Sequence, residues 1–452
     1  MLESRCLQGI WSSPLIFIFA ASGAAIGLGN IWKFPYMVGE NGGGAFLFIY
    51  CLCMVLVGLP MLIAEVALGR TVRSNPIDTI NDLADRKLIH KNWVAVPYLA
   101  GLAGALILTF YSVIAGWAFA YAQRSVTGKL ENLNEQQAAN LFESLLSSPV
   151  ELLFWHTIFM ALVILTVGQS VTRGLASVVK VLLPALILLL LGLCIFSLMT
   201  GDSKRAVEFL TRWRWQDLSF DVALSAIGHA LFSLGVGMGA MFAYGAYMNK
   251  RMSIVKACSI VAGLDLLVSI LATLIIFPLV FQFQLDVESG PSLPFVSLPI
   301  IFSSLPAGQL VGTLFFGLLI VAALTSAIAM IELFISWLHE RYSISRLKAA
   351  SLIGGGIWLL GVPIALTFSH WDSKLLFGRN LFELVDDITS FVMLPIAAIA
   401  LSVLVVWYVP TEMLKNEQIT RNPRHYRWWY NVLKFVSIPV MVLLTLAGWI
   451  GD

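Results

Sequence analysis

The sequence predicts an all-α polytopic membrane protein, and three observations carry that prediction. Of its 452 residues 59% are hydrophobic and only 12% are charged, with a mean hydropathy of +0.86; a soluble chain carries roughly twice that charge. Apolar stretches long enough to cross a bilayer recur along the whole chain. Two of them are broken near the middle by glycines, at Ser22-Gly23-Ala24-Ala25-Ile26-Gly27-Leu28-Gly29-Asn30 and at Phe232-Ser233-Leu234-Gly235-Val236-Gly237-Met238-Gly239. Unwinding frees backbone groups that lipid cannot satisfy, so such breaks belong inside protein or against a polar cavity. Matched breaks in two halves of a chain point to a binding site at the membrane midplane.

Taken in order, the apolar stretches lie near 12–38, 43–70, 93–123, 150–168, 174–199, 220–247, 253–283, 307–338, 346–368, 380–408 and 431–450, here called spans 1 to 11. Several are longer than a bilayer requires, which implies tilt or extension beyond it. The 284–306 connection holds Gly290, Pro291, Pro294, Pro299 and Pro306 and reads as a re-entrant or capping loop. The N-terminus, Met1 to Gln8, is short and polar and lacks a cleavable signal pattern.

Lysine and arginine set the orientation. With the N-terminus inside, seventeen fall on the inner side and eight on the outer, and Lys33, Lys180 and Lys434 lie within spans. The expectation is a multi-pass protein of a plasma membrane, in bacteria the inner membrane, with a cytoplasmic N-terminus; the lack of an N-x-Ser/Thr sequon leans the same way. Spans 1 and 6 then start on opposite sides. Spans 1–5 (about 11–200) and 6–10 (about 218–409) form an inverted repeat without visible sequence identity, and span 11 (about 431–450) is added to it. The whole of 1–452 is expected to be a single transmembrane transport domain.

Other classes find no support. The net charge of +2 is confined to short loops and gives no reason to expect a nucleic-acid partner. The cysteines at 6, 51, 53, 194 and 258 mostly lie in or beside apolar stretches, which argues against a disulfide framework or zinc site. There is no GxxxxGK[ST], HExxH or GxSG motif. Trp11, Trp213, Trp215, Trp428 and Trp429 at span ends read as interfacial belts.

The polar residues inside spans carry the chemistry. Gly23-x-x-x-Gly27 alone is explained by helix packing, but Asn30 and Lys33 beyond it, before Pro35, are costly in lipid and usually functional. Asp265 stands in Ala262-Gly263-Leu264-Asp265-Leu266-Leu267 with no basic neighbour; it either meets a cation, takes a proton, or bonds to a neighbouring helix. Thr325 and Ser326, taken alone, read as hydroxyls bonding back to their own helix. His229, one turn before Ser233, either hydrogen-bonds near that site or is a packed, satisfied imidazole. Tyr111 is a further buried candidate.

The run Gly27-Leu28-Gly29-Asn30-Ile31-Trp32-Lys33-Phe34-Pro35-Tyr36, followed by Glu40-Asn41-Gly42-Gly43-Gly44-Ala45-Phe46, closely resembles the neurotransmitter:sodium symporter family. The resemblance covers spans 1 to 10 and implies a LeuT-like 5+5 inverted repeat with spans 1 and 6 broken. Eleven spans resemble the bacterial tyrosine and hydrophobic-amino-acid members. The resemblance implies two sodium ions. One site would use the Ala25 carbonyl, the Asn30 side chain, Ser233, Asp265 and the substrate carboxylate. The other would use the Gly23, Ile26 and Ala322 carbonyls and the Thr325 and Ser326 hydroxyls. Members that need chloride usually carry asparagine at the Asp265 position, with serine one turn later; here Asp265 precedes Ser269, so no chloride is expected.

By the same resemblance Tyr111 holds the substrate carboxylate beside the Leu28 and Gly29 amides, Phe232 is a lid, and the Ala25, Phe232 and Ser233 carbonyls face the ammonium. Ile107, Gly235, Met238, Ser326 and Met330 would set selectivity. Gly235 stands where the leucine-type member has serine, and Met238 where it has phenylalanine, implying a roomy, adaptable pocket for a bulky hydrophobic or aromatic amino acid. Lys33 with Asp386 or Asp387 would form the outer gate. Glu340 keeps the acidic side of the inner gate, whereas the expected arginine is Gln8, with Arg5 as the substitute and Pro14 where a basic residue is common. The function implied is sodium-coupled import of a hydrophobic L-amino acid by alternating access. A proton-coupled transporter of the same fold, a channel, and a non-transporting amino-acid sensor are the alternatives. The oligomeric state is left open.

Overall fold

The computed structural model describes residues 11, 13–169, 176–212, 219–250, 252–284, 293–305, 307–369, 379–416, 419 and 422–451. Among them nine helices are long and apolar enough to cross a membrane: Gly44–Val72, Lys91–Val126, Pro149–Val167, Val179–Thr200, Ile254–Gln282, Gly308–Tyr342, Arg346–Thr367, Leu381–Tyr408 and Pro423–Gly448. These are spans 2–5 and 7–11. Span 1 is a pair, Pro14–Ala25 and Gly29–Glu40, bent by 51°. Span 6 is Phe220–Leu234 followed by Ala240–Ala246, each too short to cross alone.

Span starts carry short polar caps that satisfy the first free amides. Ser13, Ser148, Ser219, Ser253, Ser345 and Asn380 accept from amides of spans 1, 4, 6, 7, 9 and 10 respectively. Pro14 occupies the first turn of span 1, where its missing N–H costs nothing. The 284–306 connection contains a helix, Leu293–Ser303, that packs on a second connecting helix, Glu135–Leu146, and on span 8. The broken segments lie at the centre: the first half of span 1 packs on spans 7 and 8, and both halves of span 6 pack on span 2.

Among the described residues, four π-helical turns within spans share one cause. Gly29–Lys33, Met54–Gly58, Ile388–Met393 and Leu433–Ser437 end two residues before Pro35, Pro60, Pro395 and Pro439, whereas Leu404–Tyr408 closes span 10 ahead of an extended Val409. A proline ring clashes with the carbonyl four residues earlier and offers it no N–H; a wider turn makes room. Carbonyls left without a helical donor need another, and span 11 supplies two. Ser437 Oγ donates to Leu56 O at 2.6 Å, four residues before Pro60, and Tyr430 Oη donates to Val406 O at 2.9 Å, in the last turn of span 10.

Two of the expected belt tryptophans are corrected by their burial. Trp429 is fully buried and donates from Nε1 to Pro60 O at 2.9 Å. Trp11 is only 1% exposed and donates to Tyr244 O. An indole whose N–H has a protein partner gains nothing by sitting at the interface. Trp428 is exposed, while Trp213 and Trp215 lie outside the described residues.

Candidate substrate and ion site

Span 1 loses its helical pattern at Ile26, whose ψ of 103° turns the chain out after its amide bonds to Ser22 O. Gly27 follows because nothing larger fits. A Cβ there would lie 2.5 Å from Ser326 Oγ and 2.7 Å from Tyr111 Oη. Span 6 ends in a left-handed Gly235, with Gly235 N donating to Phe232 O at 3.1 Å and Val236 N to Leu231 O at 2.9 Å. At Gly237, φ is +84° and a Cβ would lie 2.6 Å from Leu394 O, so span 10 is pressed against bare backbone.

Spans 6 and 7 converge on Asn30 of span 1. Its Nδ2 lies 2.7 Å from Asp265 Oδ1, 3.0 Å from Ser233 Oγ, 3.0 Å from Ser269 Oγ and 3.2 Å from Asp265 O, while its Oδ1 accepts from Gly27 N at 3.0 Å. Ser233 Oγ donates to the same carboxylate at 2.8 and 2.9 Å, and Tyr50 Oη approaches it at 3.5 Å. An amide nitrogen has two hydrogens, so it cannot serve four oxygens. The surplus of hard acceptors, one a carboxylate, is chemistry that suits a hard cation.

The second group lies against the other side of the span 1 break. Ser326 Oγ is 3.4 Å from both Gly23 O and Ile26 O. Thr325 Oγ1 bonds back to Ala322 O at 3.0 Å and Val321 O at 3.4 Å, yet a Cβ on Gly23 would lie 3.7 Å from it. The Gly23, Ile26 and Ala322 carbonyls and both hydroxyls thus share one neighbourhood.

Between the two groups is a cavity lined by Ala24, Ala25, Gly27, Gly29, Tyr111, Phe232, Ser233, Gly235, Met238, Ala240, Met241, Ser326, Ala329 and Met330. Its polar lining includes Tyr111, whose hydroxyl accepts from Leu28 N at 3.1 Å, with Ser233 and Ser326. The rest is mostly alkyl, glycine and thioether. Leu28 contributes its amide rather than a wall, and Ile107 is buried without lining the cavity. Ala24, Gly27, Ala240, Met241 and Ala329 are lining residues that the sequence reading did not single out.

A charged pair stands beside the cavity: Lys33 Nζ meets Asp386 at 2.8 and 3.1 Å and lies 5.1 Å from the centre of the Phe232 ring. Asp387 instead pairs with Arg379. At the start of span 1, Trp11 is pinned through its amide to Tyr247 O at 3.0 Å, with its ring edge-on to Tyr244 and Tyr247. Tyr247 Oη donates to Glu332, which binds Arg346 at 2.7 and 3.1 Å. Glu340 accepts from Asn75 N and Nδ2 at 3.1 and 2.7 Å, and Arg5 lies outside the described residues.

His229 matches neither reading of it: its ring is buried against Phe34, Tyr50 and Phe232, and neither nitrogen has a hydrogen-bond partner. Glu65, Glu332 and Arg346 were missed altogether. Glu65 Oε1 accepts from Gly237 N at 2.6 Å, inside the span 6 break. The rule that singled out Asp265, an acid inside an apolar run, finds Glu65 and Glu332 as well.

Two broken spans whose freed backbone, hydroxyls and one carboxylate enclose a central cavity define a secondary transporter of the LeuT-like fold. The profile of the Sodium:neurotransmitter symporter family matches residues 8–144 and 143–450, and the chain belongs to that family. It is 34% identical to an uncharacterized sodium-dependent transporter, YhdH, of Bacillus subtilis over 100% of this chain and 99% of that one. It is 31% identical to an uncharacterized sodium-dependent transporter of Haemophilus influenzae over 96% of each. The crystal structure of MhsT in complex with L-phenylalanine superposes with a TM-score of 0.91 at 37% identity, covering 97% of this chain and 99% of that one.

Proposed function

We propose that this sodium-dependent transporter imports a bulky aliphatic or aromatic L-amino acid by alternating access, coupled to two sodium ions and without chloride. The observation that carries the reading is the cavity's mixed lining. Tyr111, whose hydroxyl accepts from the Leu28 amide, and Ser233 and Ser326 offer polar groups, and Met238, Met241, Met330 and Ala329 offer apolar ones. A zwitterion with an apolar side chain matches both. Gly235 supports the bulky end of the range, since a Cβ there would meet nothing within 4 Å. The solved relative holding L-phenylalanine points the same way.

One sodium ion would sit among the Ala25 carbonyl, the Asn30 side-chain oxygen, Ser233 and Asp265. Asp265 then supplies within the protein the negative charge that chloride supplies in other members. The second ion would sit among the Gly23, Ile26 and Ala322 carbonyls and the Thr325 and Ser326 hydroxyls. Each sodium ion gains roughly 2.3 kcal/mol across about 100 mV, and a tenfold gradient adds about 1.4. Two ions supply about 7 kcal/mol, which sustains about a 10⁵-fold gradient of a neutral zwitterion.

The test is uptake of radiolabelled tryptophan and leucine into proteoliposomes under an inward sodium gradient, with chloride or gluconate as the anion. Accumulation with sodium in both anions is the expected result. Equal uptake under a potassium gradient would instead indicate proton coupling or a uniporter. Sodium-dependent binding without uptake would indicate a sensor.

A further inference from the structure

We propose that the N-terminal end of span 11 is a binding site for an anionic phospholipid, with the phosphate on Lys434 and Arg427 and the acyl chains against Trp407 and Phe435. Arg424, Arg427, Asn431 and Lys434 follow one another by three, four and three residues, which puts them on one stripe of the helix. The opposite face is spoken for: Trp429, Leu433 and Ser437 are buried, bonded or packed against the rest of the bundle.

Two observations make this stripe a site rather than a scatter of surface charge. Lys434 Nζ stands among three rings, 5.5 Å from Trp407, 6.0 Å from Tyr430 and 5.3 Å from Phe435, and two of those rings are themselves exposed. Among the described residues, Arg424, Arg427 and Lys434 make no ion pair. The aromatic rim continues sideways, since Trp93 at the start of span 3 packs on Tyr408 at 5.0 Å, with exposed Lys91 two residues before it.

The length of the stripe selects the occupant. Ten residues of helix separate Arg424 from Lys434, about 15 Å, whereas each headgroup layer is roughly 5–8 Å thick. A soluble anion would stop at the arginines. A lipid places its phosphate deeper and its chains beside the exposed Trp407 and Phe435, and basic clusters beside a span recruit anionic headgroups at this boundary.

The protein is purified in mild detergent and reconstituted into nanodiscs of equal phosphatidylcholine and phosphatidylglycerol. Lipid retained after re-extraction is then measured by mass spectrometry. Wild type should retain phosphatidylglycerol over phosphatidylcholine, and Lys434→Gln and Arg427→Gln should each reduce that preference about fivefold. Lys434→Arg should preserve it. Lys348→Gln, which removes an exposed cation at the start of span 9, should leave it unchanged. Unaltered preference in the Lys434→Gln/Arg427→Gln double variant overturns the site, as does equal loss in Lys348→Gln. Should the double variant fail to fold, the single variants decide.

Discussion

Glu65 and Gly237 are joined by a 2.6 Å hydrogen bond from the glycine amide to the carboxylate, so a buried acid of span 2 holds the unwound centre of span 6. The contact restrains the backbone from which Gly235 and Met238 line the cavity. Replacing Glu65 with alanine leaves a buried N–H without a partner, costing about 1–3 kcal/mol. Glu65→Ala should weaken sodium-dependent amino-acid binding at least tenfold by scintillation proximity, while Glu65→Gln, which keeps an acceptor, retains most of it.

Asp265 is bonded by Asn30 and Ser233. Asp265→Asn removes the negative charge from that oxygen cluster and should raise the sodium concentration for half-maximal uptake, or make uptake depend on chloride. Uptake unchanged in both respects would refute the role assigned to this carboxylate.

Two glycines of the span 6 break should respond differently to alanine. At Gly237 a Cβ would strike Leu394 O and φ is +84°, so Gly237→Ala should abolish folded protein by size-exclusion chromatography. Gly235 has φ +65° but open space around it. Gly235→Ala meets only backbone strain, about 1–2 kcal/mol, and should remain folded with uptake shifted toward smaller substrates.

The outer pair is accessible enough to be tuned. Lys33 and Asp386 side chains are 13% and 21% exposed, and Lys33 also rests on Phe232. Lys33→Gln should accelerate release of bound substrate to the outside, read as a faster dissociation rate in the presence of sodium. Lys33→Arg should slow it, because a guanidinium binds a carboxylate through two parallel hydrogen bonds.

Span 11 is tied to spans 2 and 10 by hydrogen bonds to carbonyls left without a helical donor. Ser437→Ala and Tyr430→Phe each remove one donor, and each should lower stability by about 1 kcal/mol. The measurement is a thermal scan of purified protein, and the two losses should add.

The spans, their breaks and most of the cavity lining were legible because lipid makes the rules strict. Polar groups are rare in such spans, so Asn30, Asp265 and Tyr111 stand out, and glycine clusters mark where helices stop. The gates were less legible. Gln8 signalled that the usual arginine is missing, yet nothing local says that Trp11 lodges against Tyr244 and Tyr247. That contact joins residues more than 230 positions apart. Trp429 misled for the same reason: an aromatic near a span end reads as a belt until the fold brings Pro60 O beside it. For His229 the sequence gives no means of foreseeing that the rings of Phe34, Tyr50 and Phe232 gather around it.

The four wide turns that precede prolines inside spans 1, 2, 10 and 11 have a consequence for how this chain can diverge. A π turn holds one residue more than the α turn it replaces, and one residue of helix corresponds to about 100° of rotation. Converting a single one of these prolines to alanine invites the turn to tighten, which would swing every later side chain in that span away from its partner. Losing the proline together with one residue of its turn restores the original facing. Within the family, prolines at these places should therefore come and go in step with one-residue gaps in the aligned spans, a historical record of insertions that never lengthened a helix.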